Sequence, residues 1–114
     1  MGSPLTTHVL DTSVGRPAAG LRLAVFRHNE DGTEQCLKEG ICDQNGRVTD
    51  LLTSEDWRAG VYRIRFFVQE YFDSTKAECF YPHCDVTFTV KETASHYHVP
   101  LLLSPYGYST YRGS

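Results

Sequence analysis

Among the side chains able to move protons or to hold developing negative charge are His8, His96, His98 and Arg47. Imidazole titrates near neutrality, so it serves as acid or base without large pKa tuning. Two imidazoles and one guanidinium are chemically sufficient for a hydrolysis. The rings would handle the protons, and fixed positive charge would steady an anionic substrate or oxyanion. His96 and His98 are two apart, and on a strand such residues share a face. Two ligands on one face can hold zinc, but a stable site needs three or four. A solvated histidine pair is the plainer reading. His8 lies in Leu5-Thr6-Thr7-His8-Val9-Leu10-Asp11, facing opposite to Val9 as on an exposed edge strand. Arg47 leaves the tight turn Asp43-Gln44-Asn45-Gly46, where an arginine facing water is again the plainer reading.

The elements that would position these groups read as strands. Leu21, Leu23 and Val25 alternate with Arg22, Ala24 and Phe26 up to the turn cluster Asn29-Glu30-Asp31-Gly32. Tyr62, Ile64, Phe66 and Val68 alternate with Arg63 and Arg65, and Val86, Phe88 and Val90 with Thr87 and Thr89. Strands are predicted over 7–11, 21–28, 33–38, 47–52, 61–68, 84–90, 96–103 and 107–112. Pro100 removes a ladder donor within one of them, which predicts an edge strand or a bulge there. The one helical signal is Thr53 or Ser54 capping Glu55-Asp56-Trp57-Arg58, with Gly60 as the stop. Eight short strands with turns between them predict an all-β fold, a sandwich of two four-stranded sheets with one short helix.

At 114 residues, 40% hydrophobic and 22% charged, the chain suits one folded domain over 1–114 and not a disordered segment. Residues 1–3 are expected to be a vector-derived remnant or a disordered start. The net charge of −3, with basic residues scattered, excludes a nucleic-acid footprint. The longest purely aliphatic run is Leu101-Leu102-Leu103, far short of the ~18 residues of a membrane helix. Cys79-x4-Cys84 resembles half a zinc motif, but Cys36-x5-Cys42 is too wide to supply the other half. Without a charged-then-apolar leader, free thiols in an intracellular protein are expected. The terminal Tyr106-Gly107-Tyr108-Ser109-Thr110-Tyr111-Arg112-Gly113-Ser114 is polar and aromatic, which predicts ordered β structure laid against a neighbour.

Ser3-Pro4-Leu5-Thr6-Thr7-His8-Val9-Leu10-Asp11, Asn45-Gly46-Arg47, His98-Val99-Pro100-Leu101-Leu102-Leu103-Ser104-Pro105 and Tyr111-Arg112-Gly113-Ser114 together resemble the 5-hydroxyisourate hydrolases, the transthyretin-related family of urate degradation. The resemblance runs essentially end to end, through Gly60-Val61-Tyr62 and Cys79-Phe80-Tyr81-Pro82. It implies a transthyretin-like sandwich, a homotetramer built as a dimer of dimers, and active sites in the channel where dimers meet. It implies His8, Arg47 and His98 as catalytic groups, with Tyr111 and Ser114 beside His8 and Arg47 in contact with substrate. No metal or organic cofactor is implied, and the compartment is peroxisome or cytoplasm. His96 lies outside the family motif and is read as a surface histidine. The resemblance implies ring opening of 5-hydroxyisourate by water. A transthyretin-type carrier of thyroid hormone or similar aromatic ligands competes with it, but would want a more apolar channel. A plain interaction sandwich is the third reading, because fold alone does not set function.

Overall fold

The computed structural model describes residues 3–113. Strict alternation makes the inner faces. In β6 (Gly60–Phe66), Tyr62, Ile64 and Phe66 are wholly buried while Arg63 and Arg65 turn outward. Those arginines pair with Glu34 at 2.7 Å and Asp85 at 2.8 Å, so the outer face keeps its charges satisfied. β6 lies between β3 (Arg22–His28) and β7 (Cys84–Val90), and β4 (Glu34–Ile41) completes one antiparallel sheet in the order β4-β3-β6-β7.

The second sheet has β1 (Leu5–Asp11), β8 (Tyr97–Ser104) and β9 (Gly107–Thr110) in the order β1-β8-β9. Two-residue strands β2 (Arg16–Pro17) and β5 (Arg47–Val48) flank the far side of β1. All eight predicted strands are therefore present, four to a sheet, and β2 is an addition. The predicted 47–52 strand stops at Val48, and Leu51 and Leu52 are buried beyond it, outside any strand. Leu5, Val9, Val99, Leu101 and Leu103 meet Leu23, Ile64 and Phe66 in a common core.

The helix is elsewhere than expected. Residues Ser54–Asp56 form only a 3-10 turn, whereas α1 spans Val68–Ser74. Val68 continues the alternation of β6, yet it begins a helix in which Val68 and Phe72, four apart, are both buried. At seven residues α1 cannot stand by propensity alone. Burying Val68 and Phe72 supplies ~1.5–3 kcal/mol each. The Tyr71 hydroxyl also donates to Asp11 at 2.8 Å, which satisfies a carboxylate that is 2% exposed.

Of the expected 1–3 start, residues 1–2 lie outside the described residues, and the Ser3 hydroxyl donates to the Leu5 carbonyl at 2.6 Å and accepts from Leu52 N–H at 3.0 Å. The four cysteines are free thiols, and burial pushes Cys42 and Cys84 up to about 12. Among the described residues no helix is long and apolar enough to cross a membrane.

Candidate active site

The site begins with the pairing of β1 and β8, the one parallel ladder in the described strands. Residues directly opposite share a face, so its register sets Thr6 against His98 and His8 against Pro100. On the other side of β1, His8 pairs with Arg47 of β5. The inward positions Leu5, Thr7 and Val9 are buried, which turns Thr6, His8 and His98 to the outer surface of the sheet. Three segments far apart in sequence thus present His8, Arg47 and His98 on one face. His8 is on an internal strand, not an edge, and is half-buried.

Arg47 is aimed by the turn before it. Gly46 N–H donates to Asp43 O at 2.9 Å, and the Asp43 carboxylate accepts from the N–H groups of Asn45 and Arg47 at 2.8 and 3.0 Å. Those bonds, with the charges of Arg47 and His8, hold the Asp43 carboxyl below its usual range. Gly46 has φ +76° and is buried under β1, its carbonyl accepting from Val9 N–H at 2.7 Å. A larger residue finds no room there.

A cavity of about 280 Å³ opens on this face, lined by Thr6, Thr7, Arg47, Thr49, His96 and His98. The Thr6 hydroxyl lies 2.8 Å from His98 Nδ1 and 2.9 Å from His96 Nε2. His96 does share the face of His98, as its spacing predicts, but it is more than a surface histidine because it meets the same hydroxyl. His98 takes up a proton less readily than an ordinary histidine. Burial is the main cause, and the charges of His8, His96 and Arg47 act in the same direction, against a hydrogen bond with Thr6. The ring is therefore neutral at neutral pH, the form in which a histidine accepts a proton from water.

Pro100 stands inside β8, which is paired on both sides, and not at an edge. Gly113 N–H donates to His98 O at 2.8 Å, so by the alternation of an antiparallel ladder Pro100 turns its nitrogen to the same side. Having no N–H, it interrupts the ladder between Leu101↔Thr110 and the bridge His98↔Gly113. The Thr110 hydroxyl caps the Pro100 carbonyl at 2.7 Å instead. Beyond that gap, Arg112 donates to His96 O at 3.3 Å and stacks over Tyr97 at 4.0 Å. The tail thus holds the backbone of both histidines. Tyr111 is not brought to the histidine cavity. It is 57% exposed and lines a separate cleft with Val86, Phe88 and Val99. Ser114 lies outside the described residues.

Gly113 rests directly on the His98 ring, where a Cβ would stand 2.6 Å from Cδ2. Gly113→Ala should therefore displace the imidazole while sparing the core. Because small misplacements of a reacting group are costly, kcat/KM is expected to fall by about 10²-fold. The melting temperature, measured alongside, should hardly change.

Sequence reasoning missed Thr6 and Thr49 as members of the site. Thr6 carried a readable signal, since it lies two residues before His8 and so on its face. Among the described residues no group of three or more His, Cys, Asp or Glu side chains could hold a metal.

Comparison with known proteins adds four findings. Residues 5–113 match the model of the HIUase/Transthyretin family. The 5-hydroxyisourate hydrolase of Salmonella typhimurium is 44% identical over 96% of this chain and 80% of its own length. That of Mus musculus is 42% identical over 98% and 96%. Among solved structures, sea bream transthyretin in complex with thyroxine superposes with a TM-score of 0.94 at 32% identity, covering 97% of this chain and 95% of that one.

Proposed function

We infer the function from one premise, that the chain belongs to the HIUase/Transthyretin family: it is an enzyme that hydrolyses 5-hydroxyisourate to 2-oxo-4-hydroxy-4-carboxy-5-ureidoimidazoline in urate degradation. The observation that carries this reading is the convergence of Arg47 and a neutral, half-buried His98 on one open face beside His8. His98 acts as general base on the attacking water. Arg47 orients the substrate and stabilises the charge that develops on the carbonyl oxygen. His8 protonates the departing ring nitrogen or holds the substrate; Tyr111, which lies outside this protomer's cavity, and Ser114 would contact the substrate from the tail of another copy in the assembly.

Sea bream transthyretin in complex with thyroxine shares the fold, and that likeness does not favour the carrier reading for this chain. The carrier reading fits less well, because an apolar ligand would have to desolvate Arg47 and the histidines that line the cavity. Relatives named as hydrolases are also more similar in sequence than that structure is.

The single transthyretin-like domain works as a homotetramer, a dimer of dimers. β7 and β9 each end a sheet, and Phe80, Tyr106 and Tyr111 are exposed beside them. Open strand edges flanked by aromatic surface favour pairing with another copy. A second dimer lying over the outer face of β1 and β8 would close the cavity into a channel. The four free thiols suit a reducing compartment, cytoplasm or peroxisome.

The test generates 5-hydroxyisourate in the cuvette with urate oxidase and follows its ultraviolet decay. Decay well above the spontaneous rate is expected, and decay no faster than the blank would remove the hydrolase reading. Protonating His98 abolishes the base, so activity falls as pH drops through the His98 pKa. Since that pKa is depressed, the acid limb of kcat/KM should lie below the usual ~6.5 of histidine. A limb at or above that value would contradict the assignment.

A further inference from the structure

A base that works in this cavity meets an electrostatic problem. Once His98 has taken a proton from water it is a cation facing Arg47 and His8, in surroundings that already disfavour its charge. The neighbouring side chains provide an exit. Thr6 Oγ1 stands within hydrogen-bond distance of both His98 Nδ1 and His96 Nε2, and His96 is exposed to water. A hydroxyl has one proton to donate and lone pairs to accept with, so it can connect two rings in series.

Building on the hydrolase reading, we propose that His98, Thr6 and His96 form a proton relay linking the reacting water to solvent. Before attack, His98 carries its proton on Nδ1 and donates it to Thr6 Oγ1, while the Thr6 hydroxyl donates to His96 Nε2. As water attacks the ring carbonyl, His98 Nε2 takes its proton. The Nδ1 proton passes to Thr6, the Thr6 proton passes to His96 Nε2, and His96 releases its own Nδ1 proton to solvent. His98 ends neutral, as the Nε2–H tautomer. When the ring C–N bond breaks, with His8 in its substrate-holding role, His98 Nε2–H returns a proton to the leaving nitrogen and the three transfers run backward, with His96 Nδ1 recovering a proton from solvent. Only hydrogens move along the chain, each ring regains its first form, and no redox partner is required.

The C-terminal segment fits this role. Arg112 holds the His96 carbonyl and Gly113 holds that of His98, so the two rings keep their distance to one hydroxyl. His96 acts through Thr6 and His98 and need not touch the substrate.

The decisive variant is His96→Gln, whose amide can accept the Thr6 hydrogen bond but cannot carry a proton. In dilute buffer its kcat is expected to fall about tenfold with KM little changed, a smaller loss than the ~10²–10⁴ of removing a general base. Rising concentrations of free imidazole should restore kcat in the variant and leave the wild-type chain indifferent. Thr6→Val should show the same loss, Thr6→Ser should not, and the double variant should be no worse than either single one. Unchanged kcat in His96→Gln, or a loss that no buffer repairs, would overturn the relay.

A second measurement does not depend on turnover, so an inactive wild-type chain would remove the hydrolase reading without deciding the relay. In nitrogen-15 correlation spectra of the neutral rings, His96 and His98 should share one tautomer, both Nδ1–H or both Nε2–H. Opposite tautomers would place two protons or none on the nitrogens that face Thr6, and a hydroxyl so situated cannot join them.

Discussion

Replacing His98 by asparagine is expected to lower kcat by about 10²–10⁴-fold, the usual contribution of a positioned general base. The side chain that remains can still hydrogen-bond to Thr6, whereas nothing of comparable basicity stands where Nε2 was. The fold should tolerate the change. His98 lies on the outer face of β8, only half-buried, and its backbone bond to Gly113 does not involve the ring. A stability change within about 1 kcal/mol is therefore anticipated, near the ordinary range for a single substitution. Stopped-flow decay of 5-hydroxyisourate beside a thermal melt separates the two quantities. A variant that turns over like the wild type would remove His98 from the chemistry. Lost activity accompanied by a collapsed melt would show only that the strand had failed.

Gly46→Ala should produce the largest loss of stability. The residue has φ +76°, a region that an L side chain enters at a cost of about 1 kcal/mol. Its added Cβ would also sit 2.4 Å from the Val9 carbonyl oxygen and 3.0 Å from Pro17 Cβ. The first of these is backbone of a central strand, which cannot swing away as a flexible side chain could. The two effects together predict about 2–4 kcal/mol, or a fall in Tm of about 10 °C or more for a chain of this size. Gly15→Ala supplies the control, because Gly15 has φ +66° with nothing within 4 Å of the would-be Cβ. Its cost isolates the backbone term, and the difference between the two variants measures the collision. Since Arg47 follows directly, the folded fraction of Gly46→Ala should also have reduced kcat/KM. Equal melting temperatures for the two variants would mean that β1 yields more readily than its position implies.

The strands were legible in the sequence because each buries one face and wets the other. Tyr62, Ile64 and Phe66 between arginines could hardly be read otherwise. The same pattern hid α1. Val68 falls on the next alternate position after Phe66 and is buried, so a strand and a helix start make identical demands on it. Only the later pair Tyr71 and Phe72 carries the helical spacing, too little to outweigh the run before it. Pro100 misled for a related reason. A missing N–H marks one side of one residue, and here that gap is absorbed by an interruption of the ladder with β9, so β8 keeps its internal place.

The site was legible as residue types and as a family motif, but not as geometry. Periodicity within β1 or β8 says which residues share a face, yet nothing local reveals that Thr6 stands opposite His98, since that register joins segments 92 residues apart. His96 therefore looked like an ordinary solvated ring until the strand beside it was known.

That same parallel ladder has a consequence for the nascent chain. At ~5–20 residues per second, about 5–18 s pass on the ribosome between the appearance of β1 and of β8. The β4-β3-β6-β7 sheet joins neighbouring segments and can close early, but β1 must wait with one edge unpaired. The waiting strand is a target for chaperones and for misassociation between polysomal neighbours. A chain released before Tyr97 would own one finished sheet and half of another. It would lack the general base His98, so catalytic competence itself reports that synthesis has passed β8.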